Sequence, residues 1–179
     1  MGIPVLISTS TASNAASIDI TSGIDGTYDE YMFVCTDIGP ATDNAEFQFQ
    51  VNRDGQSLFD DSTATSTFHS DYHNEADDSA GEGYHASFDK ASDENFITIS
   101  RELGNAADES TAGILHLFRP SNTTFVKQFY SRFSGHVHDD AEKGSHVAGY
   151  INETEAIDEI SFKMDTGNFD GVIQMYGIK

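Results

Sequence analysis

The pentapeptide Phe47-Gln48-Phe49-Gln50-Val51 alternates apolar and polar side chains without a break. Successive side chains of a strand point to opposite faces, so this stretch reads as a half-buried β-strand, not as part of a helix. The same period of two recurs on both sides of it. Upstream, residues 28–38 place Tyr31, Phe33 and Cys35 on one face and Met32 and Val34 on the other. Further strands are expected at 18–21, 65–72, 84–88, 96–100, 113–118, 124–133, 147–151, 157–164 and 172–178. Asp25-Gly26, Asp54-Gly55 and Asp170-Gly171 offer the left-handed positions of hairpin turns. Gly39-Pro40 and Pro120-Ser121 interrupt pairing where strands should end. No window of a dozen residues keeps a helical apolar stripe, and only a short turn at 154–157, capped by Asn152 or Thr154, is expected to be helical. The fold class is all-β: an antiparallel β-sandwich of about ten short strands, with the jelly roll as the favoured topology.

Composition narrows the function classes. A chain of 179 residues has the length of one domain. Its 37% hydrophobic content is low, but 13 Phe and 7 Tyr can build a core. No apolar run approaches the ~18 residues of a membrane-crossing helix, so no membrane partner is expected. The single cysteine, Cys35, excludes an internal disulfide framework and a cysteine-rich zinc module. Nine Lys plus Arg against thirty Asp plus Glu give a net charge of −21, which repels a phosphate backbone and argues against nucleic acid. Such charge serves first as a solvated surface that resists clumping, and it suits a salty medium. The opening MGIPVLISTSTASNAA has no basic leader or long apolar segment, so no secretory signal is expected. Leu6 stands where a myristoylation motif needs Ser or Thr.

Three segments differ from the rest. Residues 1–17, rich in Ser, Thr, Ala and Asn, are expected to be an extended arm ordered against a neighbour, with Ile3, Val5, Leu6 and Ile7 as its contact residues. Residues 18–179 form the single sandwich domain. NEADDSAGEG at 74–83 is an acidic loop, and a second loop is expected at 136–145 with Asp139, Asp140, Glu142 and Lys143.

Chemistry-bearing constellations are few. His69, Asp71 and His73 alternate on one strand face and have the ligand types of a metal site, although same-face neighbours lie about 7 Å apart. Ordinary polar positions on the solvent side of a strand are the favoured explanation. His136 and His138 make a second same-face pair, with His146 close in sequence. Asp77, Asp78, Asp139 and Asp140 match calcium ligands in type, but no run has EF-hand spacing, so calcium is conceivable there and no cofactor is implied. Thirty acids make a glycosidase-like carboxylate pair trivial to find, and nothing singles one out. Nucleophile-elbow and phosphate-loop motifs are missing, and Cys35 reads as a small core residue. Trp, the best sugar-stacking residue, is absent, which leaves Tyr72, Tyr84 and Tyr130. No catalytic residue is assigned, and the chain is read as non-enzymatic. At 124–133, strand parity groups Phe125, Phe129 and Phe133 with Lys127 and Ser131. Those phenylalanines belong either to the core or to a subunit interface, for which they are the candidates.

Four strings carry a resemblance. IDITSGIDGTYDEYMFVCTDIGPATDNAEFQFQ at 18–50, YHNEAD at 72–77, GNAADESTAGILHLFRPSNTTFVKQF at 104–129 and AGYINETEAIDEISFKMDTGNFDGVIQMYGI at 148–178 resemble small structural virion proteins of marine tailed bacteriophages, including cyanophages. The resemblance implies a β-sandwich on the virion surface without catalytic residues, partnered by phage capsid or other virion proteins. The stretch 74–94 is more acidic than that type leads one to expect. A capsid decoration or cement protein is the first expectation, and a tail- or head-fibre module binding a host receptor or glycan is the alternative. Symmetric homo-oligomers are usual for virion appendages, and a trimer is favoured.

Overall fold

The computed structural model describes residues 2–56, 58–60 and 62–179. Among these residues there are thirteen strands: β1 (Val5–Ala15), β2 (Ser17–Ile20), β3 (Glu30–Pro40), β4 (Ala45–Arg53), β5 (Ala64–Asn74), β6 (Ala80–Tyr84), β7 (Lys90–Asp93), β8 (Ile97–Leu103), β9 (Thr111–Phe118), β10 (Lys127–Val137), β11 (Ala141–Ile151), β12 (Ile157–Met164) and β13 (Phe169–Ile178). A 3-10 turn at Ala86–Phe88 is the one helical element among the described residues. The strands pair antiparallel in the order β1-β13-β3-β9-β10-β8-β4-β12-β2. β11 pairs with β10 and β5, while β6 and β7 hang on β5. The path starts at β1 and ends at β2, which only Ala16 separates in the chain, so the sheet bends into a nearly closed, barrel-like form.

The alternation that opened the sequence reading explains the interior. β4 turns Phe47, Phe49 and Val51 inward. Phe47 meets Phe133 of β10 at 6.0 Å, Phe162 of β12 at 5.9 Å and Phe169 of β13 at 5.8 Å between ring centroids. Phe49 meets Phe129 of β10 edge-on at 5.2 Å, and Phe33 of β3 meets Phe162 at 5.6 Å. Each fully buried phenylalanine contributes about 1.5–3 kcal/mol of transfer free energy. These rings tie one wall of the barrel, β13-β3-β9-β10, to the other, β8-β4-β12-β2.

The structure departs from the sequence expectations at six places. Strands β1, β6 and β7 raise the number above about ten; none has an alternating apolar face, which is the signal the reading used. The expected strand 84–88 is the end of β6 followed by the 3-10 turn, and residues 154–157 are not helical. Residues 1–17 do not stand apart as an arm: β1 pairs with β13 from Val5↔Gly177 to Ala15↔Phe169, and Ser17 opens β2 against Lys163 of β12. The loop expected at 136–145 shrinks to 138–140, because β10 and β11 form a hairpin closed at Val137↔Ala141. Asp170-Gly171 is no hairpin turn but a bulge inside β13, opposite the left-handed Asp37 of β3. Gly171 has φ 146°, and a Cβ there would lie 2.6 Å from Ile38 Cδ1, so only glycine fits.

Candidate functional site

His69, Asp71 and His73 do share the outer face of β5, as their spacing implies, but each is engaged by a different neighbour. The His69 ring lies 5.2 Å from the Tyr84 ring of β6, and His69 stands opposite His146 of β11 in the register. His146 Nε2 donates to Asp71 Oδ1 at 3.0 Å, and His73 Nε2 donates to Asp78 Oδ1 at 2.7 Å. His69, Asp71 and His146, with Glu82 and Tyr84, line an open cleft of about 630 Å³ between β5, β6 and β11. Among the described residues no three His, Cys, Asp or Glu side chains are arranged to hold a metal ion.

The four acids considered for calcium come from two turns that the fold sets side by side. Asn74 Nδ2 donates to the Asp139 carbonyl at 3.0 Å, and the Glu75 amide donates to the Asp140 carbonyl at 3.2 Å. The carboxylates of Asp77 and Asp78 are used locally. Asp77 Oδ1 accepts the Ser79 amide at 3.0 Å, and the hydrogen bonds from Ser79 hold its carboxyl below the usual value. Asp78 is spent on His73, and Asp78 and Asp140 adopt the left-handed backbone of tight turns, with φ of 56° and 54°.

The interface candidates divide. Ile3 (87% exposed), Val5 and Leu6 face solvent, whereas Ile7 packs against the core. Phe125 (66% exposed) lies in the loop before β10, but Phe129 and Phe133 are buried. The correction at these two follows from parity, because the row Lys127, Phe129, Ser131, Phe133 turns into the barrel, against Phe49 and Phe47. Lys127 goes in with them. Its ammonium donates to the Glu153 carbonyl at 2.9 Å and to the Glu155 carbonyl, and burial pushes its pKa below the ordinary lysine value. Lysine in an otherwise inward row was the visible sign of this anchor.

Sequence reasoning missed the surface that the register assembles on the outside of β13-β3-β9-β10. One row across the strands runs Leu6, Tyr176, Met32, His116, Tyr130, Ala148. The next runs Gln174, Val34, Ile114, Arg132, His146. Phe118 adds to the first: the His116 and Tyr130 rings stack at 4.5 Å, and Phe118 lies 5.8 Å from Tyr130. Ile114, His116, Tyr130 and Arg132 line a hollow of about 470 Å³. The two rows carry no carboxylate of their own, but three border them: Glu30 accepts a hydrogen bond from His116 Nδ1, Asp71 from His146 Nε2 and Glu142 from Ser134 Oγ. The signal was present in the sequence, since β3, β9 and β13 carry apolar residues at both parities.

The outer face of the opposite wall is polar. Thr98 Oγ1 donates to Glu46 Oε2 at 2.9 Å, Gln48 Nε2 donates to Thr98 Oγ1 at 3.2 Å, and Ser161 Oγ donates to Asp19 Oδ1 at 2.6 Å. Comparison with known proteins returned no match: no family model, no curated protein and no solved structure aligns with this chain.

Proposed function

We propose that this chain is a non-enzymatic structural protein of a virion, carried on the exterior of a phage head as a decoration or cement protein. The observation that carries the reading is the partition of charge. A molecule of net charge −21 keeps an outer wall whose two central rows contain no Asp or Glu, and an N-terminal stretch, residues 2–18, without any Asp, Glu, Lys, Arg or His. A protein that only had to stay dissolved would spread its thirty acids over both. β1 supplies a means of attachment. It pairs with β13 along one side, its other side carries no ladder among the described residues, and it has no charged side chain to block strand addition by a capsid protein. The finer topology we propose is a jelly roll. The strand order supports it, because β1-β13-β3-β9 and β2-β12-β4-β8 are the two four-stranded rows of that fold, with β5–β7 and β10–β11 as insertions.

The test is the copy number in purified virions, by quantitative mass spectrometry against the major capsid protein. A number commensurate with the capsid lattice is expected, and absence from the particles would overturn the reading. The alternative, a tail- or head-fibre module that binds a host receptor or glycan, is favoured by one feature: the cleft of His69, Asp71, Glu82, Tyr84 and His146, where Tyr84 is exposed enough to stack on a ligand. A low copy number tied to the tail or to isolated head sites would select it.

A further inference from the structure

We infer that the outer face of β13-β3-β9-β10 is the surface through which copies of this chain associate with one another. The inference rests on the assembly reading above and adds where the oligomer is held. Three observations point to a second copy as the occupant. The first is charge. A net charge of −21 opposes the approach of a second copy, whereas the rows of this face carry no carboxylate of their own: Glu30 and Asp71 at their margin are bonded to His116 and His146, and Arg132 has no ion-pair partner among the described residues. Arg132 therefore presents a cation that an acidic molecule of the same kind can satisfy.

The second observation is area. The rows span six strands, from β1 to β11. At about 4.8 Å per strand and 20–25 Å of strand length, the wall they run through covers roughly 700 Å², close to the ~800 Å² each partner gives to a stable interface, with the two rows, about 7 Å apart, as its central band. The third is shape. The hollow of about 470 Å³ sits among Ile114, His116, Tyr130 and Arg132, and Tyr130 is 45% exposed beside it. Aromatic and arginine residues around a central hollow have the make-up of an interface centre. Packed face to face, two such sheets would stand about 10 Å apart with the rows between them.

Sedimentation equilibrium of the purified chain at physiological salt tests this. The expected mass is a small multiple of 19.5 kDa. Three chains would match the trimer expected from sequence; two would keep the face and revise the number. Ile114→Lys and the milder Tyr130→Ser are expected to weaken association, the former at least about a hundredfold by burying a second, unpaired cation opposite Arg132. Circular dichroism would verify that both variants keep the β-sheet signal. Gln48→Glu, on the polar wall, should leave the mass unchanged. Raising the salt should strengthen association, because it screens acidic repulsion and leaves apolar contact intact. A wild-type mass of one chain at about 100 μM, or an oligomer unchanged in both face variants, would overturn the inference. The two readings fail separately. A monomer that still decorates virions would sink this inference alone, and an oligomer absent from virions would sink the virion reading alone.

Discussion

The two walls of the barrel share one interior and differ on the outside. β4 alternates strictly, with phenylalanine inward and Glu46 and Gln48 outward, where Thr98 joins them in hydrogen bonds. β3 runs Tyr31-Met32-Phe33-Val34-Cys35, apolar at both parities, and its outward residues continue into Ile114, His116 and Tyr130. A sheet with one wet face needs only the first pattern. The second costs solubility in a chain that is otherwise acidic, and that cost makes sense if something covers the face. Inward residues report how the barrel folds. The outward ones report what it meets.

The comparison can be broken first at the shared interior. Phe47→Ala and Phe33→Ala remove rings from opposite walls of the same aromatic cluster. Each should cost about 3–5 kcal/mol, a fall of roughly 6–20 °C in Tm for a domain of this size. If calorimetry showed one large loss and one negligible one, the walls would not share a core. Lys127→Met should rank next. Lys127 belongs to β10 on one wall and holds the carbonyls of Glu153 and Glu155, in the segment that leads into β12 on the other. Leaving those carbonyls without their donor should cost about 1–3 kcal/mol, read as a smaller fall in Tm.

A finer test lies on the polar wall. Burial raises the pKa of Glu46 above its ordinary 4.5. The folded protein then binds this proton more readily than the unfolded chain. The resulting penalty is fully present above the raised value, shrinks as the pH falls through it, and vanishes below about 4.5. Glu46→Gln carries no such penalty at any pH. It should raise Tm by about 1–3 °C at pH 7 and by nothing at pH 4, and a constant difference across that range would refute the account. The smallest expected effect is that of a chelator. With Asp77 bound to Ser79 and Asp78 to His73, EDTA should leave Tm unmoved, and a drop reversed by calcium would show a site that these turns do not explain.

Much of the fold was legible because most of these strands alternate, and period two survives any choice of partner. β1 was not, since VLISTSTASNA lacks that pattern and is held by a partner more than a hundred and fifty residues later in the chain, as in Ala15↔Phe169. β6 and β7 were missed because both of their faces are largely open to solvent. Of the site residues, the shared face of His69, Asp71 and His73 followed from spacing alone. The approach of Asp71 to His146 could not, because 75 residues separate them and only the register of β5 on β11 joins them. Phe129 and Phe133 show the limit from the other side. Parity grouped them correctly, but it does not say which face of a strand is the inside.

The pairing of β1 with β13 also sets a schedule for synthesis. Val5 cannot meet Gly177 until nearly the whole chain has left the ribosome. At 5–20 residues per second, the first strand waits about 10–30 s for its partner. During that interval an uncharged stretch with open hydrogen-bonding groups on both sides is available to any neighbouring nascent chain. Crowded polysomes would favour mispairing, and slow, dilute expression at low temperature should give the larger yield of native protein.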